Sequence, residues 1–127
     1  MYSFDRFIKS SWSLVVLAEG RIIFRSRASA IKPLIRFIRS DLTSSSHLVI
    51  FDKYIGRAAA LLMVLIKPVR VHTPVISEGG RQVLDKYQIP YEARKQVKYL
   101  MGMASDEMCR WEKMAAGKTS EEFLKML

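Results

Sequence analysis

Apolar positions recur along this chain at two spacings, and the switching between them predicts its elements. Phe4, Phe7 and Ile8 stand at helical spacing and predict a short helix over residues 4–9. Two apolar, partly β-branched runs follow, Ser13–Ala18 and Arg21–Arg25, separated only by Glu19-Gly20. A two-residue link ending in glycine is the signature of a β-hairpin. Ile31, Leu34, Ile35, Ile38 and Leu42 then step by three and four, as one stripe of an amphipathic helix does. Pro33 suits its first turn, while Lys32, Arg36 and Arg39 lie off the stripe and face water.

Beyond the loop Thr43–Ser46, the run His47–Asp52 predicts a central strand. Ile55–Ile66 is apolar on nearly every face, interrupted only by Arg57, so a helix there must be covered on more than one side. Lys67-Pro68 ends it. Val69–Thr73 alternates as a further strand, which Pro74 is expected to terminate. Ser77 is placed to cap a helix, with Glu78 in the first turn and Val83, Leu84 and Tyr87 on its apolar side. Ile89-Pro90-Tyr91 predicts a short edge strand. Thr119 and Glu122 form a capping-box pair that opens a last helix carrying Phe123, Leu124 and Leu127.

A hairpin followed by strand–helix–strand alternation implies crossovers and a largely parallel sheet. The expected architecture is one three-layer α/β/α domain over residues 1–127. Residues 1–12 form an N-terminal extension and residues 118–127 a C-terminal helix.

Composition narrows the functional classes. The chain has 127 residues, half of them hydrophobic, and a net charge of +9 that favours phosphate-bearing or otherwise acidic partners. Arg21, Arg25, Arg27, Lys32, Arg36 and Arg39 concentrate this charge in the first third. No nucleic-acid-reading module accompanies them, so nucleic acid is the less favoured partner. Cys109 is the only cysteine, which excludes an internal disulfide and suits the reducing cytoplasm. The first residues do not have the pattern of a secretory leader. The longest apolar run, Ala58–Ile66, reaches about half of a membrane span, and no membrane segment is expected. Met101, Met103 and Met108 offer a soft surface to a partner, and a homo-oligomer is compatible with the composition.

Four local strings occur in order: Ala30-Ile31-Lys32-Pro33-Leu34, Asp52-Lys53-Tyr54-Ile55-Gly56-Arg57-Ala58-Ala59-Ala60, Val75-Ile76-Ser77-Glu78, and Asp106-x-x-Cys109-x-x-Glu112. From about Ser13 to Glu112 the chain thereby resembles the domain-of-unknown-function family 1893. The resemblance implies a cytidine-deaminase-like fold and no established activity. It departs from the family's usual residues at Ala30, where glycine is common, and at Arg110-Trp111, where Pro-Met is common. A zinc deaminase also needs a histidine or cysteine with a proton-shuttling glutamate at one helix start, and two cysteines at the next. The corresponding starts here read Gly56-Arg57-Ala58 and Ser77-Glu78, so no zinc and no other cofactor is expected.

The expected site lies beyond the carboxyl end of the central strand, where open α/β sheets bind ligands. Asp52 and Lys53 end that strand. Gly56 and Arg57 open the buried helix, whose free N–H groups favour an anion. If Ser77 and Glu78 start the neighbouring helix beside them, these six residues line one pocket for a small anionic or nucleotide-like metabolite. Asp106, Cys109 and Glu112, three apart on one helix face, would close it. An alternative uses Cys109 as a covalent carrier with Glu112 or Asp106 as acid or base. His47 and His72 fall on neighbouring strands, and nothing in their spacing demands a metal.

Overall fold

The computed structural model of the chain describes residues 2–100 and 110–127. Helix α1 (Phe4–Lys9) begins at Ser3, whose hydroxyl accepts the Arg6 N–H at 3.2 Å. Strands β1 (Leu14–Ala18) and β2 (Arg21–Ser26) form the expected hairpin. Its link has φ of 50° at Glu19 and 82° at Gly20, the doubly positive pattern that two-residue hairpins need to match strand twist.

Helix α2 (Lys32–Ile38) stops before Leu42, short of the sequence expectation. The Ser40 hydroxyl accepts the Leu42 N–H and starts a separate 3-10 turn over Asp41–Ser44. Ending the helix there makes Phe37, rather than Leu42, its deepest side chain. Ala30 precedes it with a φ of 57°, a left-handed backbone that explains the advantage of glycine at this place.

Strand β3 (Leu48–Asp52) breaks at Lys53 and resumes as β4 (Tyr54–Ile55), so Ile55 ends a strand rather than starting a helix. Helix α3 (Arg57–Ile66) follows, then β5 (Arg70–Ser77), α4 (Glu78–Lys86), β6 (Tyr91–Val97), α5 (Arg110–Ala115) and α6 (Ser120–Lys125). The capping box of Thr119 and Glu122 is fully formed at the last helix.

These strands make one six-stranded mixed sheet. β1 lies antiparallel between β2 and β3, while β3, β4 and β6 run parallel to β5. β6 takes the edge position foreseen from Pro90, but it extends to Val97 through a polar stretch. Exposed charges such as Arg94 and Lys95 are a common protection for such an edge.

Pro74 does not end β5, contrary to the sequence expectation. Its position falls between the β3 pairing, which reaches His72, and the β4 pairing, which begins at Val75. The missing N–H therefore removes no ladder bond, because the opposing strand is itself broken at Lys53. The Lys53 N–H instead bonds the Ser13 carbonyl at 3.1 Å. Fully buried Thr73 donates its hydroxyl to the Val75 carbonyl at 2.9 Å, so its polar group is satisfied at the gap.

Alternation along the strands divides the core. Leu14, Val16, Leu48, Ile50 and Val71 pack with residues of α2 to α6 on one side. Val15, Leu17 and Phe51 pack with Phe4 and Phe7 of α1 on the other. Cover on the two faces is thus unequal, five helices against one short one among the described residues. Helix α3 is the most deeply placed, with seven of its ten residues buried.

Leu62 in α3 is fully buried, so Leu62→Ala should cost roughly 2–5 kcal/mol through lost transfer and cavity formation. Urea denaturation measures this as a lowered midpoint; an unchanged midpoint would place α3 outside the cooperative core.

Candidate functional site

The break between β3 and β4 places a cleft of about 420 Å³ at the carboxyl end of the central strand. Trp12, Tyr54 and Trp111 contribute aromatic walls, Arg27 stands at the mouth, and Asp52 and Glu112 contribute carboxyl groups. Tyr54 is 64% exposed, whereas Asp52 and Glu112 are 7% and 8% exposed. Its two acids are therefore buried.

Asp52 lies where β3 ends, and burial pushes its carboxyl up to about 8, partly opposed by the Tyr54 and Lys53 N–H groups. It therefore carries a proton at neutral pH and can donate a hydrogen bond as well as accept one. Lys53 lines the same cleft, but its ammonium donates to the Ser10 carbonyl at 2.6 Å and lies over the Phe7 ring. The sequence placed this lysine among the residues lining an anion pocket. It is half-buried and tied to the end of α1, because the strand break turns its side chain toward that helix.

Glu112 settles the start of α3. Gly56 offers no side-chain cap, and the Glu112 carboxylate accepts the Arg57 N–H at 2.8 Å instead. Burial raises its carboxyl above the usual range, opposed by the Arg57 and Ala58 N–H groups and by the Arg57 charge. A β-carbon on Gly56 would fall on the Glu112 Oε1 atom and against Leu100, so only glycine fits beside this cap.

The starts of α3 and α4 do lie side by side: a β-carbon on Gly80 would come within 3.1 Å of the Gly56 backbone. That contact closes the space between the two helix starts only at Gly56 and Gly80. Ser77, buried, accepts the Gly80 N–H at 3.0 Å as a cap. Arg57 reaches across to Gln82 at 2.9 Å. Arg57, Ser77 and exposed Glu78 line a second cleft of about 310 Å³, and Glu112 borders both clefts. The six residues expected in one pocket are thus distributed over two, with Asp52, Lys53 and Gly56 in the larger. Asp106 and Cys109 lie outside the described residues.

His72 stacks on Phe51 at 4.7 Å between ring centres and bonds Glu92 at 3.0 Å, while exposed His47 sits 3.9 Å from Glu19. Among the described residues no three His, Cys, Asp or Glu side chains come together in a way that could hold a metal ion. No helix among them is long and apolar enough to cross a membrane. Sequence reasoning missed Trp12, Tyr54 and Trp111 as walls. The available signal was a tryptophan among serines just before a strand, where a large ring has nowhere to hide within its own element.

These features define a mixed α/β protein with a strand-end cleft that has aromatic walls and buried acids. The chain belongs to the family described as TM1506, domain of unknown function (DUF1893), whose model matches residues 4–126. Its fold is similar to the crystal structure of a DUF1893 family protein (TM1506) from Thermotoga maritima, with a TM-score of 0.86 and 28% sequence identity. The match covers 96% of this chain and 82% of that one. No curated protein matches the sequence significantly.

Gly56→Ala should be strongly destabilising, by about 2–4 kcal/mol, because the new methyl meets the carboxylate and Leu100. Adding Glu112→Ala should recover part of that loss, so thermal midpoints of the single and double variants should be non-additive. Purely additive losses would mean that the two residues do not compete for one space.

Asp52 sets a pH dependence. The folded chain keeps a proton, up to about pH 8, that the unfolded chain releases near its ordinary value of 3.8. Stability from this group is therefore complete below about pH 4 and declines as pH rises toward about 8. Asp52→Asn should flatten that decline, gaining roughly 2–5 kcal/mol relative to wild type between about pH 4 and about pH 9. Urea midpoints across this range provide the measurement; parallel profiles would show that Asp52 is not a buried acid.

Proposed function

We propose that this chain is a cytoplasmic protein of cytidine-deaminase-like, three-layer fold, without zinc chemistry, that binds a small anionic, nucleotide-like metabolite in the strand-end cleft. The order of hairpin, crossover helix and parallel strands supports the fold reading. The two helix starts support the loss of zinc chemistry, since they offer Gly56, Arg57, Ser77 and Glu78 in place of histidine and cysteine.

The observation that carries the binding reading is the pairing of aromatic walls with a protonated Asp52 in one cleft at the end of β3. A planar ring gains dispersion and stacking against Trp12, Tyr54 or Trp111. Asp52 offers that ring both a donor and an acceptor, which suits the mixed edge of a nucleobase. Glu112 adds little negative potential, because the start of α3 balances its charge. Arg27 at the mouth favours an anionic substituent.

Titration of tryptophan fluorescence with nucleosides and nucleotides of the four common bases tests this reading. At least one base should quench the signal saturably, and Asp52→Ala or Trp111→Ala should weaken binding about tenfold, as loss of a buried hydrogen bond or ring contact does. Failure of every base to bind at millimolar concentration, or unchanged affinity in both variants, would overturn it.

A further inference from the structure

Two guanidinium groups converge on one indole that lines the cleft. The Arg27 Cζ lies 3.6 Å from the centre of the Trp12 ring and the Arg25 Cζ lies 4.6 Å from it. Both arginines are exposed, and neither forms an ion pair among the described residues. The Arg27 Nε–H donates to the Ser11 hydroxyl at 2.7 Å, which fixes the plane of that guanidinium without engaging its terminal N–H groups. Trp12 and Arg27 themselves line the cleft.

The two like charges gathered on a single ring repel each other in part, and an anion between them would relieve that repulsion. A stacked guanidinium also loses less freedom when it binds, because the ring already holds its plane. Two such groups present planar donor forks, which fit the oxygens of a phosphate better than a point charge does.

We propose that Arg25, Trp12 and Arg27 form a phosphate clamp, and that the ligand of the cleft is a phosphorylated compound whose ring enters and whose phosphate stays at the clamp. The ring's place rests on the binding reading above, whereas the clamp itself does not.

Inorganic pyrophosphate, which has no ring, tests the clamp alone through Trp12 fluorescence and calorimetry. Wild type should bind it saturably, and Arg25→Gln or Arg27→Gln should each weaken binding about tenfold or more. Arg27→Lys should fail to restore it, since a lysine keeps the charge and loses the stacked fork. Exposure of these side chains means that urea midpoints should stay at the wild-type value. Absence of pyrophosphate binding to wild type, or unchanged affinity in the doubly substituted protein, would overturn the clamp. Uncharged nucleosides separate the two proposals: their binding should survive both arginine substitutions, and its absence beside intact pyrophosphate binding would remove the ring pocket and leave the clamp. A mixed single-stranded oligonucleotide that binds through the same arginines and is not displaced by pyrophosphate would assign them to nucleic acid and overturn the small-ligand form.

Discussion

The start of α3 must find an acceptor inside the protein, and that requirement shapes much of what surrounds it. The helix carries the core on several faces, so its first turn cannot be turned out to solvent. Its own preceding residue is a glycine without a side chain. A carboxylate from residue 112 therefore crosses 55 positions of sequence to take the Arg57 N–H. The same contact requires glycine at 56, holds α5 against α3, and separates the two clefts. A buried acid is costly unless its charge is shared with hydrogen bonds, and here the helix terminus and the carboxylate satisfy each other.

The two buried acids are made tolerable in different ways. Glu112 is compensated by peptide N–H groups and the Arg57 charge, whereas Asp52 escapes the cost chiefly by keeping its proton. The larger cleft thus has carboxyl groups inside it without a strongly negative interior. Positive charge in its lining comes from Arg27 and Lys53, with Arg25 stacked on Trp12 beside it. That division reconciles a chain of net charge +9 with a cleft whose inner groups are acids.

Elements fixed by local chemistry were legible in the sequence. The hairpin follows from Glu19-Gly20, α1 from the spacing of Phe4 and Phe7, and α6 from the capping box. The depth of α3 follows from a surface that is apolar all round. What was not legible depended on partners far along the chain. Pro74 is a strand breaker when considered alone, and only the matching break at Lys53 in the neighbouring strand makes it harmless. Ile55 continues an apolar run that reads as helix, until pairing with Ile76 claims it for the sheet. The site showed the same limit. Asp52 was expected at a strand end and lies there, but nothing local revealed that Lys53 would turn to Ser10 or that Glu112 would border both clefts.

The cap on α3 also bears on how the protein is made. A ribosome releases the chain from its N-terminus, and domains generally fold as units. When Ile66 has emerged, α3 is complete in sequence, yet its first turn still lacks the carboxylate at 112 and its packing surface lacks Phe123. The strands that flank it are likewise unfinished until β5 and β6 arrive. The nascent chain therefore holds an apolar segment without its final cover until Glu112 and Phe123 have emerged. Helix α6 is therefore part of the core's cover, since it supplies the fully buried Phe123, and removing it would leave that apolar surface open.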